Sequence, residues 1–245
     1  MSFRPLWRWL SLLALALIVL QLFFVLRIAL MARVDPQSTA FERSEAWRLV
    51  HEKNRLPWHQ QWADYNQISD HLKRAVIASE DDGFAYHDGV DWDALEKAWQ
   101  KNAKAEALAA QKAAKGVKVV KPPKVVGGST ITQQLAKNLF LSGERTLMRK
   151  AQEMVLTFLL EKLLSKRRIL ELYLNHVEWG EGVFGAEAAA RHYFQKPAAR
   201  LTPLEAARLA VMLPRPKYFE KLPNSTYLSE RSEVIAARLW NAELP

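Results

Sequence analysis

The sequence predicts a mostly α-helical domain behind one N-terminal transmembrane helix. Three observations carry this. The N-terminus is apolar and free of acid, Ser or Thr caps recur ahead of apolar stripes at helical spacing, and no stretch alternates apolar and polar residues convincingly. The chain has 245 residues, which suits one catalytic domain and an anchor. It has no cysteine, which excludes a disulfide framework, a zinc–thiolate site and a thiol nucleophile.

The first 33 residues hold Arg4, Arg8, Arg27 and Arg33 and no acid. Between Arg8 and Arg27 lie 18 uncharged, mostly apolar residues, enough to span hydrocarbon as a helix. The expected span is 9–32, with Arg27 snorkelling. Arg4 and Arg8 keep the tail, 1–8, on the cytoplasmic side under the positive-inside rule, so the rest faces outward. A cleaved signal peptide is the other reading of such an N-terminus, but Leu30 breaks the small-x-small pattern before Ala32. Removing residues 1–33 is expected to weaken work at a membrane and leave the fold intact. Residues 33–64 read as a membrane-proximal linker and helix, with a helix over 41–54. Trp58 and Trp62 follow, as an interfacial belt or as core.

The main domain is expected over 65–245. Ser69 caps a helix beginning near His71, and a glycine-containing acidic loop follows it. Asp91 or Asp93 starts another helix, which runs into a lysine-rich segment, 97–126, expected to be mobile. That segment holds eight lysines beside one acid, Glu106, within a net charge of +9. A basic surface beside a bilayer suits anionic lipid or an anionic lipid-linked substrate, although a charge run is commonly just a solvated helix face. Thr130 and Gln133 form a capping box for a helix to about Leu141. Residues 145–164 carry the widest apolar face, and Ser165 opens a helix to Asn175. Gly180, Gly182 and Gly185 punctuate a loop before a helix over 186–193. Thr202, Pro203 and Glu205 open a helix to about 213. Pro214, Pro216 and Pro223 make a loop, and the last helix covers 229–241.

Three constellations carry chemistry. Glu80, Asp81 and Asp82 follow an apolar helix, where a partly desolvated carboxylate becomes a better base. The plain alternative is a solvated acid cluster, though acids at a helix C-terminus oppose the dipole. Gly127 and Gly128 lead into a helix N-terminus, whose free N–H groups and dipole suit phosphate; the alternative is simply a well-capped helix. Arg149 and Lys150 lie four and three residues before Glu153, on one side of a helix. That set is either a surface salt bridge worth ~0.5 kcal/mol or a carboxylate among cations beside a diphosphate.

The ordered strings ASEDDGFAYHDG, GGSTITQQLAKNLFL, RKAQE and SKRRILELYLN resemble the four motifs of the peptidoglycan glycosyltransferases. HVEWGEGVFGAEAAARHYF resembles the monofunctional biosynthetic members in particular. The resemblance covers about residues 65–220, together with the anchor, and implies a lysozyme-like helical glycosyltransferase domain. It makes Glu80 the catalytic base and Glu153 the second catalytic glutamate, which assists departure of the diphosphate or holds a divalent cation, Mg or Mn. It places Asp81, Phe84, His87, Gly128, Ser129, Thr130, Gln133, Gln134, Lys137, Asn138, Arg145, Arg149 and Lys150 in substrate binding. Lys166, Glu171, Tyr173 and Asn175 match the fourth motif, read as structural support. The length of segment 97–126 and the presence of Arg215 depart from the family pattern.

The implied reaction polymerises lipid II into β-1,4-linked glycan with inversion, releasing undecaprenyl diphosphate. No cross-linking domain follows Pro245, so transpeptidation is not expected. Implied partners are lipid II, the undecaprenyl-diphosphate-linked glycan, the membrane and the cell-wall synthesis machinery. Nucleic acid is not expected for an outward-facing domain. Two rivals use the same features: a lysozyme-like or lytic enzyme that cleaves glycan, and a non-catalytic membrane scaffold for wall precursors.

Overall fold

The computed structural model describes residues 4–114, 127–141, 143–144 and 146–245. Arg145 and the connector over 116–126 lie outside the described residues. Helix α1, Arg4–Met31, is apolar and long enough to cross a membrane. Its first two-thirds are largely exposed, as a lipid-facing helix would be. Its last turns are not. Ile28 is 0% and Met31 3% exposed, and both belong to the core of the main domain. A cut at residue 33 therefore removes core, which corrects the expectation that the fold would survive it untouched.

Thr39 and Glu42 form a capping box that starts α2, Ala40–Lys53. Asn54 ends it in the left-handed conformation. Strand β1, His59–Gln60, and a 3-10 turn, Tyr65–Gln67, lead to α3, Asp70–Glu80, capped by Ser69. Leu72, Ala75, Val76 and Ile77 bury α3 against the later helices. Each larger side chain contributes about 1.5–3 kcal/mol. Helix α4, Trp92–Ala114, follows a cap by Asp91, whose Oδ1 accepts the Ala94 N–H at 2.8 Å. The helix runs on through residues 97–114, into the lysine-rich segment.

Next come α5, Ile131–Phe140, α6, Leu147–Leu163, and α7, Lys166–His176, capped by Thr130, Thr146 and Ser165. Helix α7 is buried on both sides, through Ile169, Leu170, Leu172, Tyr173 and Leu174. Strands β2, Glu178–Gly180, and β3, Val183–Phe184, occupy the glycine-punctuated stretch. β3 pairs parallel with β1 and antiparallel with β2, giving a small sheet that the sequence reading lacks. At Gly182, φ is +72° and a Cβ would meet the Pro57 carbonyl at 1.8 Å, so only glycine fits. Trp58 stacks on Phe184 at 4.6 Å and Trp62 meets His176 edge-on at 5.9 Å, so both tryptophans pack into the domain.

Helix α8, Ala186–Phe194, and α9, Pro203–Met212, follow as expected. A short α10, Pro216–Glu220, replaces part of the expected proline loop, because Pro216 stands at a helix N-terminus, where its missing N–H costs nothing. Helix α11, Thr226–Arg238, and a 3-10 turn, Leu239–Asn241, close the domain. Helices α9 and α11 hold α3 from one side, while α6 and α7 hold α5. The ends of α3 and α5 are thereby brought together.

Candidate active site

Glu80 is the last residue of α3. Its Oε2 accepts a hydrogen bond from Gln134 Nε2 at 3.0 Å, so the first and second motifs meet there. Tyr173 of α7 donates its hydroxyl to Gln134 Oε1, also at 3.0 Å. Burial pushes the Glu80 carboxyl above its ordinary range, against the Gln134 bond, and the charge of Asp81 adds to the rise. A carboxylate held this way is a stronger base than one in water.

The acidic loop is tied to α5 through side chains. Asp81 is buried; its Oδ2 accepts the Ile131 N–H at 2.9 Å. Its Oδ1 lies 2.8 Å from His87 Nε2. The other ring nitrogen of His87 accepts the Gly89 N–H at 3.1 Å, so Nε2 carries the proton donated to Asp81. The Thr130 hydroxyl donates to the Gly89 carbonyl at 2.6 Å. Phe84 is 0% exposed, with Lys166 Nζ over its ring at 4.6 Å. Asp81, Phe84, His87 and Thr130 thus sit where they shape the loop and the helix end rather than line an open surface.

A glycine entry to α5 offered an anion site at the helix N-terminus. The Ile131 amide is instead taken by Asp81, and the Gln133 amide by the Thr130 hydroxyl. Capping by the protein uses these donors, and the positive groups come from side chains. Gly128 passes close to α4: a Cβ would meet Leu95 Cα at 3.2 Å. Its role there is clearance.

A cleft of about 300 Å³ is lined by Ser129, Gln133, Gln134, Lys137, Asn138, Arg149, Lys150 and Glu153, with Phe41 of α2 and Leu141 beside them. This joins the second and third motifs, and Gln134 carries the cleft to Glu80. Glu153 is 3% exposed and lies 2.7 Å from the Arg149 guanidinium, with Lys150 on its other oxygen. Among the described residues, Arg149 Nε is buried without a hydrogen-bond partner. Arg145 lies outside the described residues.

A divalent cation at Glu153, one of the two roles the resemblance implies for it, finds a poor donor set. Among the described residues no cluster of three or more His, Asp or Glu side chains surrounds a common point. Glu153 is a single carboxylate already engaged by two cations. No step is routed through a metal.

The fourth motif holds the frame. Asn175 bonds both backbone groups of Ala63 at 2.9 Å, and Glu171 accepts the Tyr65 N–H at 2.6 Å. Tyr173 does more, since it reaches the Glu80–Gln134 pair. Its place in an apolar helix gave no signal of that contact.

Comparison with known proteins finds relatives over most of the chain. The family model described as Transglycosylase matches residues 49–240. A protein of Burkholderia thailandensis is 51% identical over 92% of this chain and 82% of its own length. One from Paraburkholderia xenovorans is 50% identical over 95% and 90%. One from Herminiimonas arsenicoxydans is 48% identical over 99% and 98%. Each of the three is named biosynthetic peptidoglycan transglycosylase. On this similarity and on the match over residues 49–240, the chain belongs to the transglycosylase family.

Proposed function

We propose that this protein is a membrane-anchored peptidoglycan glycosyltransferase that lengthens glycan strands from lipid II. One observation carries the reading: a half-buried glutamate, Glu80, is hydrogen-bonded to Gln134, and Gln134 lines one cleft with Lys137, Arg149 and Lys150. Glu80 takes the proton from the acceptor's 4-hydroxyl as that oxygen attacks the donor's anomeric carbon. The bond to the lipid diphosphate breaks, the centre inverts and a β-1,4 bond forms. Lys137, Arg149 and Lys150 neutralise the charge that grows on the departing diphosphate, the larger electrostatic task. Glu153 holds Arg149 and Lys150 in place by pairing with both.

A cleaving enzyme would also employ a raised carboxyl, as an acid. It has no need of three cations in one cleft. Purified protein given lipid II and, separately, cross-linked wall decides between them: polymer grows from the first, and no fragments leave the second. A general base supplies ~10²–10⁴-fold in rate, so Glu80→Gln should lose most turnover and keep substrate binding. Turnover near that of the parent would remove Glu80 from the role.

Helix α1 supports placement at a membrane, with Arg4 and Arg8 on the cytoplasmic side and the cleft outside. Both substrates are held in a bilayer by isoprenoid tails, so a tethered cleft meets them at high effective concentration.

A further inference from the structure

We propose that Tyr173 is a positioning residue: its hydroxyl fixes the Gln134 side chain so that an N–H, and not the amide oxygen, faces the carboxylate of Glu80. This rests on the reading of Glu80 as the base.

Three helices meet in this chain of groups. Tyr173 on α7 donates to Gln134 Oε1 on α5, at 3.0 Å, and Gln134 Nε2 donates to Glu80 Oε2 on α3, at 3.0 Å. An amide has nearly the same shape either way round, so its hydrogen-bond partners decide its orientation. Turned round, Gln134 would set its oxygen against a carboxylate, acceptor against acceptor. Tyr173 guards against that, because a donor stands where the amide oxygen belongs. The phenol is suited to the task. It is 1% exposed, in a helix buried on both sides, so its position is fixed by packing. Burial first, and the charges of Glu80 and Asp81 next, hold its proton on far above the ordinary range. It therefore stays a donor wherever the enzyme works.

The consequence falls on the base. A hydrogen bond to the charged form of a carboxyl favours that form. Gln134 is the group that opposes burial at Glu80. With the amide free to turn, the carboxyl holds its proton to higher pH, and the base is lost over the acid side of the working range.

Tyr173→Phe keeps the ring and removes the donor. The acid limb of kcat/KM against pH, which reports the free enzyme's base, should move up by about one unit, so activity falls about tenfold at pH values below the limb, while the high-pH plateau is retained. Gln134→Leu should move the limb in the same direction without touching the tyrosine, and the double variant should move it no further. An unmoved limb in folded Tyr173→Phe overturns the inference. So does an unmoved limb in Gln134→Leu, which applies even if the tyrosine variant does not fold. Glu80→Gln, run beside these, separates the two readings. If it keeps full turnover, the base reading fails. If it loses turnover while the other limbs stay put, only the role of Tyr173 fails.

Discussion

Asp81 and Ile131 are joined by a 2.9 Å hydrogen bond, from the first amide of α5 to Oδ2 of the carboxylate that follows Glu80. The same carboxylate accepts a hydrogen bond from His87 Nε2 on its other oxygen. One buried anion thus ties the end of α3, the acidic loop and the start of α5 into one unit. The distance between Glu80 and the cleft residues of α5 is set by that tie.

Asp81→Asn should therefore weaken both stability and turnover. Asparagine has one oxygen where two are needed. Its amide group must face either the Ile131 N–H or the His87 N–H, leaving a buried donor unpaired. That costs about 1–3 kcal/mol. Denaturant unfolding should register this loss, and glycan synthesis should fall with it. Unchanged stability would show that the tie does not hold the loop.

Lys150 and Glu153 should respond differently to truncation, although they form one pair. Lys150 is 45% exposed at its side chain, so Lys150→Ala costs under ~1 kcal/mol of stability. As one of the cations proposed to neutralise a departing diphosphate, it should still cost roughly 10²-fold in turnover. Glu153 is buried between two cations, and Glu153→Ala leaves Arg149 charged without its partner. That should cost about 3 kcal/mol as well as activity. Unfolding midpoints and polymerisation rates measured together check the contrast. Equal midpoints for the two variants would refute it.

The caps made much of this fold readable. Thr130 with Gln133, Ser69, Ser165 and Thr202 with Glu205 each start a helix where local chemistry says one starts. The strands were hidden because two or three residues are too few to display a period, and their pairing joins His59 to Val183 across a long stretch of chain. Gly127 and Gly128 signalled an anion site that Asp81 and Thr130 close, a contact visible only once α3 and α5 meet. Glu80 stood out as an acid ending an apolar helix. Its partners Gln134 and Tyr173 are set by tertiary packing, which no spacing within one helix records.

Glu178 gives the stability a pH dependence. It is buried at the sheet, with Lys217 Nζ at 3.1 Å, and burial pushes its carboxyl up from 4.5 to about 7 despite that lysine. A group whose folded value is raised binds protons more tightly in the folded state. Its contribution is complete below pH 4.5 and is lost as pH rises through 7. The loss is on the order of 3 kcal/mol. Glu178→Gln should flatten that part of the profile and leave a protein more stable than its parent at pH 8. Lys217 keeps Glu45, 2.6 Å away, so the substitution strands no cation. Parallel profiles for parent and variant would contradict the assignment.

The anchor should prove to be part of the catalytic domain's structure as well as its tether. Phe24 meets Phe140 at 5.4 Å, Arg27 lies over the same ring, and Gln21 exchanges amide hydrogen bonds with Gln152. Arg168 donates to the Met31 carbonyl at 2.7 Å and pairs with Asp35 at 2.6 Å. Through Phe140 and Gln152 these contacts brace α5 and α6, the two helices that carry the cleft's cations, and through Arg168 they brace α7. A chain beginning at residue 34 loses Ile28 and Met31 from the core, about 1.5–3 kcal/mol for each. A chain beginning at residue 20 keeps both, and keeps Gln21 and Phe24 too. Neither can span a bilayer, so comparing them in one detergent separates bracing from tethering. The longer form should unfold at the higher temperature and turn over detergent-dispersed lipid II faster. Identical midpoints and rates would reduce α1 to a tether.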